Sequence, residues 1–161
     1  MTTGDIFQEL YLNEQVSSLP AGVRIGPVVF APALTAIDPA TGKLVDGDLE
    51  AQLRQVMSNM DTVLTNGGAS RSDIARITLF MTQTSDRTAM NAVYQEWFPD
   101  DMDRPPHKYL PLDLPGDVQV AAQVIAVPGS ARRVIEIPGI HHQDWMSLSG
   151  LDRKSTRLNS S

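Results

Sequence analysis

The chain has no cysteine. That single absence removes disulfide staples, thiolate nucleophiles and thiolate metal sites, and it fits a reducing compartment. Positive charge is also short: 13 lysines and arginines face 19 aspartates and glutamates, for a formal net charge of −6. An acidic chain is poorly suited to nucleic acid or an anionic membrane as its main partner, because both attract basic surfaces. Long apolar runs are missing too, so no segment reads as a bilayer span. The N-terminus carries Asp5 and Glu9 and no basic patch, unlike a secretory signal, which makes the cytoplasm the expected location. What is present is ordinary for a globular protein: 161 residues, 42% hydrophobic and 20% charged. That length suits one domain plus an extension, able to bury roughly two-thirds of its unfolded surface.

The most informative stretch is residues 48–81. Leu49, Leu53, Val56, Met57, Met60, Val63 and Leu64 recur at helical steps, which places them on one stripe of an amphipathic helix. Asp48 stands at the N-cap position, where a carboxylate accepts the first free backbone N–H groups. Asn66-Gly67-Gly68 supplies the left-handed residue that ends a helix. The period then changes. Ala75, Ile77, Leu79 and Met81 alternate with Arg76, Thr78 and Phe80, which is strand spacing. A helix packed on a sheet containing this strand is the simplest arrangement.

Ahead of that stretch, Ile6, Leu10 and Tyr11 suggest a short helical turn or a fraying arm over residues 1–21. Residues 22–35 read as two short strands broken at Gly26-Pro27. Pro32 has no N–H to donate, so it belongs at an edge, a bulge or a strand end. Asp38-Pro39-Ala40-Thr41-Gly42 is a turn. Beyond residue 81, Ser85 or Asp86 can cap a second helix carrying Met90, Val93, Tyr94 and Trp97, stopped at Phe98-Pro99. An acidic loop with Asp100, Asp101 and Asp103 leads to a strand over residues 107–112, interrupted by Pro111, and to the turn Leu114-Pro115-Gly116-Asp117. In residues 118–127, the clearest strand, Val118, Val120, Ala122, Val124 and Ala126 face one way and Gln119, Ala121 and Gln123 the other. The order is strand, strand, helix, strand, helix, strand, strand. It predicts an α+β domain in which two helices cover one face of a mixed sheet. The other face, partly apolar with small and amide side chains, needs cover from another copy of the chain, so a homo-oligomer is expected.

Taken in order, several strings resemble the Rid (YjgF-like) family. They are Asp38-Pro39-Ala40-Thr41-Gly42, Gln55 with Asn59, Gly68-Ala69-Ser70, Asp73-Ile74, Asn91-Ala92-Val93-Tyr94 with Phe98, Arg104-Pro105-Pro106, and Leu114-Pro115 leading to Ile125-Ala126-Val127. The resemblance marks residues 22–128 as one Rid-like domain. It implies a chorismate-mutase-like fold, a homotrimer whose sheets line a central barrel, and small-ligand clefts between subunits. The chemistry it implies is hydrolysis of reactive enamines and imines, such as 2-iminobutanoate and 2-iminopropanoate, with no metal or cofactor.

In that chemistry an arginine grips the ligand carboxylate through two parallel charged hydrogen bonds. A carboxylate on the last strand positions or activates water, and a Ser-Gly pair lines the pocket. Here the Ser-Gly pair falls on Pro32-Ala33 and the two glutamates fall on Ala121 and Gln123. The arginine is replaced by His107 or deleted just before it, while Asn91 is retained. The resemblance therefore assigns Pro32, Ala33, Asn91, Ala121 and Gln123 to ligand binding and leaves His107 and Arg104 as catalytic candidates. Arg104, His107 and Lys108 all lie where the arginine should be, and histidine's ordinary pKa of about 6.5 suits proton transfer. Structural readings stand beside these. Arg104 can pair with Asp100, Asp101 or Asp103 on the surface. His107 has no identifiable carboxylate partner, Asn91 can make a structural hydrogen bond, and Tyr94 and Trp97 read as core. Two functions stay open: an imine- or enamine-hydrolysing enzyme with rearranged site residues, and a non-catalytic relative that binds a small ligand or partner in the same cleft.

Past residue 128 the character changes. Residues 129–150 read as a linker and the start of a second Rid-like unit. His141-His142-Gln143-Asp144 invites a metal reading, but adjacent residues rarely face one ion and no fourth ligand is evident, so no metal is expected. Residues 151–161 resemble a translated sequencing adapter and are set aside as a non-native tail.

Overall fold

A computed structural model describes residues 7–82, 87–130 and Arg132. Six strands form one sheet: β1 (Phe7–Leu10), β2 (Gly22–Ile25), β3 (Val28–Leu34), β4 (Ile74–Met81), β5 (His107–Pro111) and β6 (Val120–Ala126). Their spatial order is β1-β2-β3-β6-β4-β5. The β4–β5 pair is parallel and every other neighbouring pair is antiparallel. Helices α1 (Leu49–Asn66) and α2 (Arg87–Trp97) complete the domain. This is the mixed sheet and helix pair that the periodicity predicts. No helix among the described residues is long and apolar enough to cross a membrane.

Helix α1 sets the core. Asp48 caps it, accepting the Ala51 N–H at 3.0 Å, and Gly68 (φ 72°) supplies the left-handed residue after it. The whole apolar stripe of α1 is buried. It packs with Val29, Ala31, Ile77, Leu79, Val120, Ala122, Val124 and Ala126 in one core. Each fully buried leucine or methionine contributes on the order of 2 kcal/mol of transfer free energy. Small residues on β6 let the helix lie close, and α2 packs beside α1 on the same side.

Two amides on α1 are as buried as the leucines: Gln52 is 2% exposed and Asn59 is 1% exposed. Both serve as tethers. Gln52 donates to the Asp117 carbonyl at 2.9 Å and accepts the Gln119 N–H at 2.9 Å, fixing the turn before β6. Asn59 donates to the Thr35 and Ile37 carbonyls at 2.9 and 2.8 Å, fixing the loop after β3. A buried amide is tolerated when its donors and acceptor are satisfied in this way.

Three local readings differ from the structure. Residues 7–10 form an edge strand, not a helical turn or fraying arm, so the sheet begins ahead of residue 22. Only Leu10 in β1 is buried, at 1% exposure, so the short strand shows no apolar alternation. Ala75 is exposed although the alternation puts it with Ile77. The β4–β6 ladder slips between Ile74 and Arg76, leaving Ala75 as an extra residue. Trp97 is half-buried and clamped at the surface. Its Nε1 donates to Asp61 at 3.1 Å and Arg71 lies 4.9 Å over its ring, whereas Tyr94 is buried as expected. Ile6, the caps Ser85 and Asp86, the pair His141-His142 with Asp144, and residues 151–161 lie outside the described residues.

Candidate functional site

Strand alternation and the ladder registers decide which side chains share the face opposite the helices. On β3 these are Val28, Phe30 and Pro32; on β6, Ala121, Gln123 and Ile125; on β4, Arg76, Thr78 and Phe80; on β5, Lys108 and Leu110. Phe30, Phe80, Leu110 and Ile125 are half-buried, while Thr78 (3% exposed) and Ala121 (4%) form the floor between them. The face is therefore a shallow, mostly apolar trough with a polar row across its middle.

That row is built by register. Thr78 pairs with Gln123 on one side and Lys108 on the other. On β3, Ala31 pairs with Val124 and Leu34 with Ala122, so two residues, Pro32 and Ala33, stand opposite Gln123 alone. This is a β-bulge, and proline suits it because the bulged residue gives no N–H to the ladder. Pro32-Ala33, Gln123, Thr78 and Lys108 thus line up across four strands, with Ala121 one step away. A separate crevice lined by Gln8, Tyr11, Asn13 and Asn66 lies at the β1 edge, far from this row.

The remaining sequence candidates lie on the other side. Arg104 is committed to the end of α2: its Nε donates to the Phe98 carbonyl at 2.8 Å and its guanidinium pairs with Asp101. Asn91 is exposed on α2 and accepts the Tyr109 hydroxyl at 3.1 Å. His107 lies on the helix-covered side of β5, its ring centroid 4.0 Å from that of Tyr94 and 5.1 Å from that of Tyr109. Tyr94 is pinned in turn, donating to the Pro105 carbonyl at 2.8 Å, and burial pushes its hydroxyl pKa far up. Burial, aided by the Arg104 charge, lowers the His107 pKa below 6.5. The ring is therefore neutral near pH 7, packed between two tyrosines.

That shift has a testable sign. A depressed folded-state pKa means the unfolded chain binds the extra proton first. The contribution of His107 to stability is present above pH 6.5 and is lost as the pH falls through the lower folded value. Urea midpoints measured across this window should fall more steeply with acid for the parent than for His107→Phe, which keeps an aromatic ring but cannot titrate. Parallel pH profiles for the two proteins would refute the assignment.

Comparison with known proteins decides the family. Residues 14–128 match the family model described as Endoribonuclease L-PSP. The chain belongs to the Rid (YjgF-like) family. A RutC family protein of Pyrococcus abyssi is 31% identical over 105 residues, covering 65% of this chain and 81% of that protein. The chloroplastic Reactive Intermediate Deaminase A of Arabidopsis thaliana is 28% identical over 133 residues, covering 77% of this chain and 64% of that protein. Among solved structures, Escherichia coli TdcF with bound serine superposes with a TM-score of 0.63 at 28% identity, covering 71% of this chain and 91% of that one.

In this Rid-family chain the sequence-derived residues divide cleanly. Pro32, Ala121 and Gln123 share the open face and Ala33 sits in the bulge beside them, while Asn91, Arg104 and His107 are on the helix side. Sequence reasoning missed Thr78 and Arg76 as members of the polar region. Their positions in an alternating strand were legible, but their neighbours were not, because the β4–β5 and β4–β6 registers join segments far apart in the chain. Among the described residues, no group of three His, Asp or Glu side chains is placed to hold a metal ion.

Proposed function

We propose that this Rid-family chain works as a homotrimer and takes a small ligand of the imine, enamine or related carbonyl class in clefts between copies. We read the cleft as a binding site and not a hydrolytic one. The observation that carries this reading is the composition of the open-face row. Pro32, Ala33 and Gln123 stand in it with Ala121 one step away, and its strands β3 to β6 present no carboxylate to that face. Hydrolysis of a C=N bond needs a group that positions or activates water, and an amide and a methyl group do neither well. Arg104 and His107, the other candidates, are held by α2. The half-buried Phe30, Phe80, Leu110 and Ile125 support self-assembly over this face, since such an apolar stretch is usually covered.

The second reading is a hydrolase with altered residues, favoured by relatives that carry the name reactive intermediate deaminase. To separate the two, 2-iminopropanoate and 2-iminobutanoate are generated in situ by a pyridoxal-phosphate enzyme and their decay is followed with and without the protein. The expected result is unchanged decay together with measurable binding of the corresponding 2-oxo acids. Acceleration that disappears in His107→Ala or Arg104→Ala would replace the binding reading with the hydrolytic one.

A further inference from the structure

We infer that Lys108 and Arg76 together hold a small dianion, a dicarboxylate or a phosphate, on the open face across β4 and β5. This rests on the open face being the ligand site, and it adds the ligand's charge and the residues that hold it.

The first ground is how the cations are used. In a chain of net charge −6, most described arginines are engaged. Arg54 pairs with Glu50 and Glu96, Arg71 with Asp61, Arg104 with Asp101 and Arg132 with Asp103. Arg24 donates to the Gly26 and Gly67 carbonyls. Arg76 and Lys108 make no ion pair with any described residue. Lys43 is equally free of ion pairs among the described residues, but it stands in the exposed turn after Asp38, away from the sheet.

The second ground is placement. Lys108 is opposite Thr78, and Arg76 lies two residues before Thr78 on the same face of β4. Strand geometry sets their backbones one diagonal step apart, about 8 Å, so both long side chains can reach one ligand. The Gln123 amide, opposite Thr78 on the other side, and the Thr78 hydroxyl add neutral donors at the centre. No carboxylate stands on this face of β4, β5 or β6; the nearest acid by strand order is Glu9 on β1, which accepts the Tyr11 hydroxyl at 2.6 Å.

The third ground is electrostatic. Two uncompensated cations beside an apolar floor repel one another, and the repulsion grows as water is excluded. A monoanion neutralises one of them. A ligand with two negative charges neutralises both, with Arg76 able to grip two oxygens as a fork and Lys108 acting as a compact point charge.

The test is calorimetric titration of the assembled full chain at low salt with inorganic phosphate, malonate and acetate. Either dianion should bind, acetate much more weakly. Lys108→Met and Arg76→Met should each weaken the dianion by about tenfold or more, the loss of one charged hydrogen bond. Lys43→Met should change nothing and Lys108→Arg should retain binding. Tighter phosphate points to a phosphate-bearing ligand, and tighter malonate to a dicarboxylate. The inference fails if the assembled protein binds neither dianion, if acetate binds as tightly, or if both methionine variants bind like the parent. It also fails if those variants dissociate the assembly, since the cations would then be pairing across the interface. A parent chain that sediments as a monomer would instead sink the proposed function, so the two failures are distinct.

Discussion

Replacing Asn59 with leucine is expected to destabilise the protein by about 2–4 kcal/mol, because two carbonyls lose the donor that this buried side chain gives them. The side chain is 1% exposed and donates to the Thr35 and Ile37 carbonyls, while its own oxygen accepts Gln55 Nε2 at 2.9 Å. Leucine keeps the branched outline but is larger and cannot donate, so the loss reports the missing polar contacts together with local repacking. Asn59→Asp, which keeps the shape and the acceptor but removes both donors, should be at least as damaging, because it also places a charge where water is excluded. Chemical denaturation reads both. A change below about 1 kcal/mol in the leucine variant would mean that the loop after β3 holds its position without the helix. The result bears on the candidate site as well as on stability, since that loop follows directly on the Pro32-Ala33 bulge opposite Gln123.

Phe30→Asp is expected to convert the proposed trimer into a folded monomer. Phe30 pairs with Ile125 at the centre of the open face and is half-buried in a single copy. In a single subunit the new carboxylate reaches water at little cost. Between subunits it would be an unpaired buried charge, a penalty of several kcal/mol for each copy and larger than a modest interface withstands. Sedimentation should show the loss of assembly while far-UV circular dichroism stays that of the parent. A variant that remains trimeric would place the interface elsewhere on the molecule and remove the physical reason for a shared cleft.

The architecture was legible in the sequence because its signals are local. The α1 stripe, the Asp48 cap, the glycine stop and the two-residue period of β4 and β6 all act over a few residues. Each is present in the structure. The Asp38 turn behaves the same way: Gly42 adopts φ 70° and its N–H reaches the Asp38 carbonyl at 2.8 Å. Pro32 signalled a break in ladder bonding, and the break is a bulge. Where the reading failed, the cause was a ladder irregularity or a short strand. One extra residue at Ala75 reverses the facing of the start of β4, and nothing in the local pattern marks it.

The candidate site was only half legible. Family resemblance pointed to Pro32, Ala121 and Gln123 through their places in the chain, and these do share a face. It also pointed to the segment containing Arg104, His107 and Lys108 without separating them. Consecutive residues of a strand face opposite ways, so His107 and Lys108, identical in sequence context, have opposite fates: one stacks on Tyr94 beneath α2, the other joins Thr78 on the open side.

By itself, then, the sequence determined the helix and its dry stripe, the strands that alternate, the acidic charge balance and the exclusion of thiol chemistry, because each depends on residue type and spacing along the chain. Only the tertiary structure decided which charges are already spent. Arg104 is bound to the end of a helix it follows by a few residues, and Asn59 holds a loop that precedes it by more than twenty. Arg76 and Lys108 share one face across a parallel strand pair whose register no local pattern encodes. Partner choice over such separations is set by the packing of the whole sheet.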